Sequence, residues 1–405
     1  MNLDRRSFLE LVGLLSRWHP WLRSKRPSVP PNSSIYAELG IRPFINAAGA
    51  YTELGGGLMH EEVLDVMQEV SVRSVSISEL QHAIGEKIAA MLGCEAALVT
   101  AGCASSLALS AAACIAGKDR DKIRGLPVAS AGKCEVIMQK THRFEYDHAI
   151  RNSGAKIVEI ETLEELKAAV SGRTVMLFFL NSANHKGKIL REEFAQTANQ
   201  LGIPVLIDAA ADLPPVENLY ILTRMGYDLV GFSGGKSLRG PQCSGLLLGR
   251  KDLIEAAFLN GSPHSDSLGR VSKVGKEEMV GLYRALQVFL KTDHAAEWNE
   301  WKRRVSVILG ELSLIPGIQT SMSIPDPPHS RPTANIQWNQ EKIRLSPRDV
   351  IRILRAEDPR IELAPGSENS STGLQVAVWM LRPQEDMIVA RRLAEVLKSN
   401  KRGLD

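Results

Sequence analysis

The sequence predicts an α/β fold, with a large domain built on a sheet of buried strands and a smaller α+β domain after it. Two observations indicate this. Apolar runs of strand length, at residues 97–100, 205–207 and 229–232, each end in a polar or glycine-rich turn. Beyond residue 252, apolar residues recur at three- and four-residue spacing, which is typical of helices, with short strand-like runs between them.

We expect three regions: a basic tail or linker over residues 1–34, a large domain over 35–258, and a small domain with its connecting helix over 259–405. A chain of 405 residues is long enough to bury both cores. In the third region, one long connecting helix is predicted over the segment KEEMVGLYRALQVFLKTDHAAEWNEWKRRVSVILGELSLI. A strand after the proline-rich turn in SIPDPPHSRPTANIQW, a helix and strand over 347–363, and a strand at 376–381 with a final helix are predicted to follow.

Composition narrows the classes of partner. The net charge is +3 with 23% charged residues, which is close to balance, so nucleic acid is not favoured as a partner. The five cysteines form an odd set without a C-x-x-C pair. This pattern is unlike a disulfide framework or a zinc site, so we expect reduced cysteines and no metal.

Lys236 is the most informative residue, because it follows the apolar run 229–232 through Ser233 and two glycines. A lysine placed there is either a phosphate binder or an amine nucleophile. A Walker-type loop is excluded, because Val230 stands where its first glycine belongs and Gly240-Pro241 stops the helix that the loop requires. The other interpretation is a lysine that forms a Schiff base with pyridoxal phosphate.

Asp208 supplies the acid that this cofactor needs beside its pyridine nitrogen. It follows the run 205–207, at the edge where open α/β sheets bind ligands. The segment between Asp208 and Lys236 is long enough for one crossover helix, so we expect both residues to end neighbouring strands. Ala210 lies on the same side as Asp208 and would leave room for a flat ring.

A third segment suits the cofactor's phosphate. The run 97–100 leads into Ala101 and then Gly102, Cys103 and Ala104, ahead of an alanine-rich helix. The free amide groups at a helix N-terminus bind anions. An ordinary strand-to-helix turn is the alternative, and the presence of Lys236 and Asp208 weighs against it.

Five segments carry a resemblance to successive blocks of the fold-type I pyridoxal phosphate enzymes of the bacterial selenocysteine synthase group. They are INAAGAYTELGGG, ELQHAIGEKIAAMLGCEAALVTAGCASSLALSAAACIAG, RFEYDHAIRNSGAKIVEI, IPVLIDAAAD and GGKSLRGPQCSGLLLGR. The chain is most similar to the D-glucosaminate-6-phosphate ammonia-lyase branch, from about residue 35 to near the C-terminus. The resemblance implies pyridoxal 5′-phosphate as the cofactor, a mixed, mostly parallel sheet, and a homodimer or an assembly of dimers.

The resemblance also implies site residues. By this resemblance Lys236 forms the Schiff base with the cofactor, and Asp208 pairs with the ring nitrogen. Four residues are expected to bind the phosphate: Gly102, Cys103, Ala104 and Ser233. His142, after the apolar run 136–138, falls where the family places a residue over the outer face of the ring. Tyr146 and His148 are rivals for that position, and a surface-loop histidine is the alternative.

Substrate-binding residues are predicted by resemblance in three segments. The loop INAAGAYTELGGG, with Asn46, Thr52 and Gly55, resembles a segment that approaches the active site at a dimer interface. Arg270 and Lys273, with Lys276, resemble a block near the active-site mouth. Arg382 follows the predicted strand 376–381, where fold-type I enzymes often hold a substrate carboxylate. Solvated surface charges are the alternative for these cations.

The family branch implies α,β-elimination from a small amino acid or amino sugar acid, releasing ammonia and a 2-oxo acid, with Lys236 as the base for the α-proton. Selenium transfer to seryl-tRNA is the alternative within the family. Two departures disfavour it: a short basic tail precedes residue 35, and Gly235 stands where the family tends to have an aspartate. Aminotransferase and racemase chemistry stay open. A non-catalytic scaffold is disfavoured by the joint presence of Lys236, Asp208 and the glycine turn.

The N-terminal segment concerns location. Its Arg5-Arg6-Ser7-Phe8-Leu9 resembles a twin-arginine export signal, but Glu10 interrupts the apolar run and no clear small-residue cleavage site follows. We expect a basic tail on a cytoplasmic protein, with export to the periplasm as the alternative. No stretch of the sequence reaches a membrane-spanning length.

Overall fold

The computed structural model describes residues 34–128, 132–326, 330–364, 367, 370 and 373–399. The twin-arginine-like segment lies outside these residues, so its two interpretations stay predictions. Within the described residues, no helix combines the length and the apolar character that crossing a membrane requires.

Strands and helices alternate through residues 35–259. In chain order they are α1 (Ile35–Glu38), β1 (Ile45–Ala47), α2 (Glu61–Ser71), α3 (Ile77–Leu92), β2 (Ala96–Thr100), α4 (Cys103–Ala116), α5 (Arg120–Gly125), β3 (Glu135–Gln139), α6 (Asp147–Asn152), β4 (Lys156–Ile160), α7 (Leu163–Ala169), β5 (Thr174–Leu180), α8 (Arg191–Leu201), β6 (Val205–Asp208), α9 (Asn218–Arg224), β7 (Leu229–Ser233), β8 (Gly245–Gly249) and α10 (Lys251–Leu259). Short 3₁₀ turns lie at Thr52–Leu54, Lys140–His142 and Asn181–Lys186.

The remaining elements are mostly longer helices and a small set of strands. They are α11 (Lys276–Lys291), α12 (His294–Ser313), β9 (Ile318–Ser323), β10 (Thr333–Trp338), α13 (Pro347–Ala356), β11 (Ile361–Leu363), β12 (Gly373–Ala377) and α14 (Glu385–Ser399).

Seven strands form the central sheet in the order β2-β8-β7-β6-β5-β3-β4. β8 runs antiparallel to both of its neighbours, and the other pairings are parallel. The mixed, mostly parallel sheet confirms the predicted fold class. β6 and β7 are parallel neighbours joined through α9, as the sequence predicted, and their register pairs Asp208 with Gly231.

Helices cover both faces of the sheet. One apolar cluster joins it to α3, α8, α9 and α11, and a second joins it to α4, α6 and α10. Small side chains allow close packing: a Cβ at Gly85 of α3 would lie 2.5 Å from the Ala97 carbonyl oxygen of β2. The strands are therefore buried on both faces, which explains why they are continuous apolar runs in the sequence.

A third apolar cluster belongs to the C-terminal part of the chain. β12, β10 and β9 form an antiparallel sheet in that order, and α12 and α14 contribute to the same core. β1, although early in the sequence, pairs in parallel with β11 and contributes Ile45 and Ala47 to this cluster. Side chains of α11 instead pack in the first cluster. The domain division after residue 258 stays a prediction.

Two predicted elements differ from the structure. The single long connecting helix is wrong: α11 ends at Lys291 and α12 begins at His294, because Thr292 is extended and the Asp293 side chain caps the new helix at the Ala296 amide, 2.9 Å away. The strand predicted at 376–381 ends earlier, since β12 covers Gly373–Ala377 and a turn follows at 379–380.

Candidate active site

One cavity of about 570 Å³ lies beside the carboxyl ends of the central strands. Most of the residues predicted to hold a cofactor line it: Gly102, Cys103, Ala104, Asp208, Ala210, Ser233 and Lys236. Residues from the start of α4 are thereby brought to the ends of β6 and β7, which lie more than 100 positions later in the chain. This is the edge where open α/β sheets bind their ligands.

The loop that carries Lys236 is shaped by glycines. A Cβ at Gly235 would lie 2.6 Å from the Gln242 Cα, so a side chain does not fit at this position. The loop after β1 supports this segment: the Gly57 amide donates to the Gly235 carbonyl at 2.8 Å, and Gln242 Nε2 donates to the Thr52 carbonyl at 2.9 Å. Lys236 is thus held on a backbone fixed from two sides.

Asp208 is a buried carboxylate without an ion-pair partner among the described residues. Its Oδ1 accepts hydrogen bonds from the Ala210 amide at 2.9 Å and from the Cys103 thiol at 3.7 Å. Burial raises the pKa of Asp208, while the nearby charge of Lys236 lowers it. A buried carboxylate is stabilised by a cationic partner, so this arrangement fits the protonated ring nitrogen of pyridoxal phosphate.

The N-terminus of α4 fits the phosphate of that cofactor. Gly102 precedes the helix with φ of 81°, a conformation that favours glycine, and as a glycine it has no side chain with which to cap the first turn. The first amide groups of a helix have no acceptor within it and attract anions. The Ser105 hydroxyl in this turn is buried and has no hydrogen-bond partner among the described residues. Unused donors are therefore present where a phosphate is expected.

His142 does not line the cavity, which corrects the prediction that it covers the ring. Its ring is fully buried and packs edge-on against Phe179, with ring centres 4.4 Å apart. The Leu180 amide donates to His142 Nδ1 at 3.1 Å, and burial lowers the pKa of His142 to about 4. The neutral ring is a core element. Of the two rivals, Tyr146 lines the cavity and the exposed His148 does not.

The predicted substrate residues are placed differently from one another. Thr52 lines the cavity. Asn46 does not, because its amide group closes the turn after β1 by donating to the Gly49 carbonyl and accepting from the amides of Ala48 and Gly49. Gly55, exposed at φ of 87°, caps the turn Thr52–Leu54 and is also outside the lining.

The predicted substrate cations also lie outside this cavity. Arg270 and Lys273 are exposed and are absent from its lining. Arg382 lines a separate cavity of about 200 Å³, shared with Arg239 and Arg304. The structure therefore does not bring these three predicted cations to Lys236.

Two residues that the sequence reasoning missed belong to this region. Asp212 lines the cavity, four residues after Asp208 in the same sequence block, and that proximity was an available signal. Arg331 is buried in the core, where its Nη2 donates to the Leu213 carbonyl and to the hydroxyl of Ser237, the residue after Lys236. Burial lowers the pKa of Arg331 to about 10. Arg331 stands in a proline-rich segment, and nothing in the neighbouring sequence indicates that its side chain is buried.

Comparison with known proteins agrees with this geometry. The chain is 28% identical over 333 residues to a D-glucosaminate-6-phosphate ammonia lyase from Salmonella typhimurium, covering 80% of this chain and 87% of the relative. It is also 28% identical over 375 residues to a 5′-C-glycyluridine monooxygenase-decarboxylase from a Streptomyces species, covering 89% and 92%. A solved structure of D-glucosaminate-6-phosphate ammonia-lyase superimposes with a TM-score of 0.79 at 26% identity, covering 91% of this chain and 99% of that one.

The fold is that of the fold-type I pyridoxal phosphate enzymes, and pyridoxal phosphate is the cofactor. The family model described as "SelA: L-seryl-tRNA selenium transferase" matches residues 44–300, which is more than half of the chain. The matched part contains β1 to β8 and every residue that lines the cavity around Lys236. On this evidence, the chain belongs to the SelA family.

Proposed function

We propose that this protein is a pyridoxal phosphate-dependent lyase that acts on a small amino acid or amino sugar acid by α,β-elimination and releases ammonia and a 2-oxo acid. One observation carries the proposal. Lys236, the buried carboxylate of Asp208 and the N-terminus of α4 meet in one cavity. D-glucosaminate 6-phosphate, named for one relative, is the first substrate to test.

Pyridoxal phosphate, when bound, supplies an electron sink that makes the α-proton of an amino acid acidic. Lys236 Nζ serves as the base for that proton. No carboxylate of the described residues forms an ion pair with this amine, although the charges of Lys236 and of Asp208 and Asp212 act on one another. Asp208 holds a proton on the ring nitrogen, and the amides at the start of α4 hold the phosphate.

The walls of the cavity are partly apolar and carry few polar groups that could act on a substrate. Phe144 and Leu180 contribute apolar surface, and Tyr146 and Glu145 lie at the same wall. Apolar walls exclude water and strengthen the electrostatic contacts of Lys236 and Asp208. Loss of a β-hydroxyl from the substrate then requires a proton source in the cavity.

The experiment is a substrate screen on the purified holoenzyme. Ammonia and 2-oxo acid release is measured with D-glucosaminate 6-phosphate, unphosphorylated D-glucosaminate, and both enantiomers of serine and threonine. We expect equimolar release of the two products from at least one of them, and none from Lys236→Ala. Oxygen uptake with carbon dioxide release would instead favour the reaction named for the Streptomyces relative. Amino group transfer without ammonia would favour an aminotransferase.

We also propose a homodimer in the cytoplasm, with nucleic acid not required. Support for the dimer comes from α1 and the segment after it, where Ile35, Tyr36, Leu39 and Ile41 are each more than half exposed. Apolar side chains grouped on a surface are typical of an interface. Light scattering on the purified protein measures the mass, and a monomer would contradict the proposal.

A further inference from the structure

The cavity holds a second buried carboxylate, which the cofactor does not account for. Asp212 lines it together with Asp208 and Lys236. Only 7% of Asp212 is exposed, and it forms no ion pair among the described residues. A buried carboxylate is costly unless a partner or a proton compensates it. Asp208 is already the carboxylate expected to bind the ring nitrogen of the cofactor. The burial of Asp212 therefore needs another explanation.

The surroundings of Asp212 fix one of its two oxygens. Asn181 Nδ2 donates to Oδ2 at 2.9 Å, and Arg191 Nη1 donates to Asn181 Oδ1 at 3.2 Å. The contact with Arg191 orients the Asn181 amide, so that its NH₂ group faces Asp212. Asn218 Nδ2 donates to the Asp212 carbonyl at 2.6 Å and holds the backbone.

The other oxygen, Oδ1, is buried without a hydrogen-bond partner among the described residues. Anchoring of the loop uses Oδ2 and the backbone carbonyl, and it leaves Oδ1 unused. Such an atom is satisfied if it carries a proton and donates it to a ligand. Because Asp212 lines the cavity, its one unsatisfied oxygen lies beside the space that a substrate would enter.

The surroundings of Asp212 raise the pKa of its carboxyl group toward neutral pH. Burial is the main cause that raises its pKa to about 6, and the negative charge of Asp208 adds to this effect. The Asn181 hydrogen bond and the charges of Lys236 and Arg191 lower the pKa. Arg331 and the Cys103 thiol are the other titratable groups that feel its charge.

We propose that Asp212 is the acid that protonates the departing β-hydroxyl of the substrate. This inference rests on the proposed function, in which a β-substituent is lost. Hydroxide leaves poorly from carbon unless it is protonated as the bond breaks. Asp212 is a catalytic residue in this assignment, and Asn181 is a positioning residue that acts through it.

The step balances in atoms and charge. The α-proton of the substrate moves to Lys236 Nζ, and the electron pair left at Cα forms the Cα–Cβ double bond. The Cβ–O bond breaks, the proton on Asp212 Oδ1 moves to the departing oxygen, and water leaves. Asp212 ends as a carboxylate and Lys236 as an ammonium group. Return of one proton from the ammonium group to the carboxylate, directly or through solvent, restores both.

The test compares two leaving groups in the holoenzyme. Wild type and Asp212→Asn are assayed with serine and with 3-chloroalanine, of the enantiomer that the screen selects. Chloride leaves without a proton, whereas hydroxide needs one. We expect Asp212→Asn to lose about 100-fold or more in kcat with serine and to stay within about threefold with 3-chloroalanine. Equal losses with both substrates would overturn the acid role.

Two further variants sharpen the comparison. Asn181→Leu removes the contact to Oδ2 and is expected to show the same preference for chloride in weaker form, by about tenfold. Asp228→Asn changes a partly buried carboxylate, which binds the Val205 amide and Arg250 away from the cavity, and is expected to affect both substrates equally. A chloride preference in Asp228→Asn would contradict the assignment.

A readout that does not depend on turnover separates this inference from the proposed function. Infrared spectra of the holoenzyme are recorded across pH for wild type and Asp212→Asn, with the visible cofactor band as a check on loading. We expect one protonated carboxyl signal that titrates near pH 6 in wild type and is missing in the variant. No such difference would overturn the inference, even if no substrate is found. If wild type catalyses elimination and Asp212→Asn shows the same ratio of kcat with serine to kcat with 3-chloroalanine, the proposed function stands and the acid role of Asp212 is wrong.

Discussion

The guanidinium carbon of Arg331 lies 4.1 Å from the centre of the Trp379 ring. The other side of the same group donates to the Leu213 carbonyl and the Ser237 hydroxyl. A residue that precedes β10 thereby contacts both cavity loops, one after Asp208 and one after Lys236. No carboxylate forms an ion pair with Arg331 among the described residues, so stacking and carbonyl contacts stabilise the charge.

Arg331→Lys tests this contact. Lysine keeps the charge but lacks the planar fork that meets two acceptors while stacking on an indole ring. We expect the free energy of unfolding to fall by about 1–3 kcal/mol, and kcat to fall by about tenfold while the cofactor band persists. Urea unfolding and steady-state kinetics measure both. Unchanged kinetics with lowered stability would limit Arg331 to packing.

Lys236→Ala removes the amine expected to bind the cofactor covalently. The variant should fold, because Lys236 borders a cavity and is only half-buried. We expect its visible cofactor band to differ from that of wild type and to wash away on dialysis. Lys273→Ala, at an exposed position outside the cavity, is the matched control and should keep the band. A dialysis-resistant, wild-type band in Lys236→Ala would refute the assignment.

Asp208→Asn should retain cofactor and lose turnover. A neutral amide does not keep the ring nitrogen protonated, so the electron sink weakens. We expect kcat to fall by about 100-fold or more, an amount typical for loss of one well-placed charge in a buried site. The cofactor dissociation constant, from fluorescence titration, shows whether binding is intact. Near-wild-type turnover would remove Asp208 from the site.

Asp212→Asn should also stabilise the fold at high pH. The folded-state pKa of about 6 lies above the ordinary aspartate value, so the folded state holds its proton more tightly than the unfolded state does. The resulting penalty grows as pH rises from 4 to 6 and then stays constant at about 3 kcal/mol. We expect the urea midpoint of the variant to exceed that of wild type at pH 8 and to approach it near pH 4. A gain that does not vary with pH would contradict this account.

Arg382→Lys tests whether Arg382 binds the substrate in the cavity that holds Lys236. Arg382 lines the smaller cavity, and its backbone amide donates to Glu385 at 2.7 Å. We therefore expect KM for the substrate to stay within about threefold. If Arg382 did hold the substrate carboxylate by two hydrogen bonds, lysine could not replace that contact and KM would rise. A rise in KM of about tenfold or more would restore the original prediction that Arg382 binds the substrate.

Sequence reasoning worked where the signal was local. β6 and β7 were evident as apolar runs, and their ends placed Asp208 and Lys236 correctly at one edge of the sheet. It failed where position depends on distant partners. The ring of His142 is buried by Phe179 and the Leu180 amide of another strand. Arg331 contacts residues 118 and 94 positions away, and no window of neighbouring residues contains that information.

The pairing of β1 with β11 has a consequence for how the chain folds. Ile45 pairs with Ile361, so the two strands are separated by about 300 residues of intervening chain. All seven strands of the central sheet lie between these two strands in the sequence. All seven of these strands are therefore synthesised before β11, the partner of β1. The loop that follows β1 contacts Gly235 and Gln242, so the strand pair β1–β11 of the C-terminal core is continuous with the backbone contacts that support the loop of Lys236.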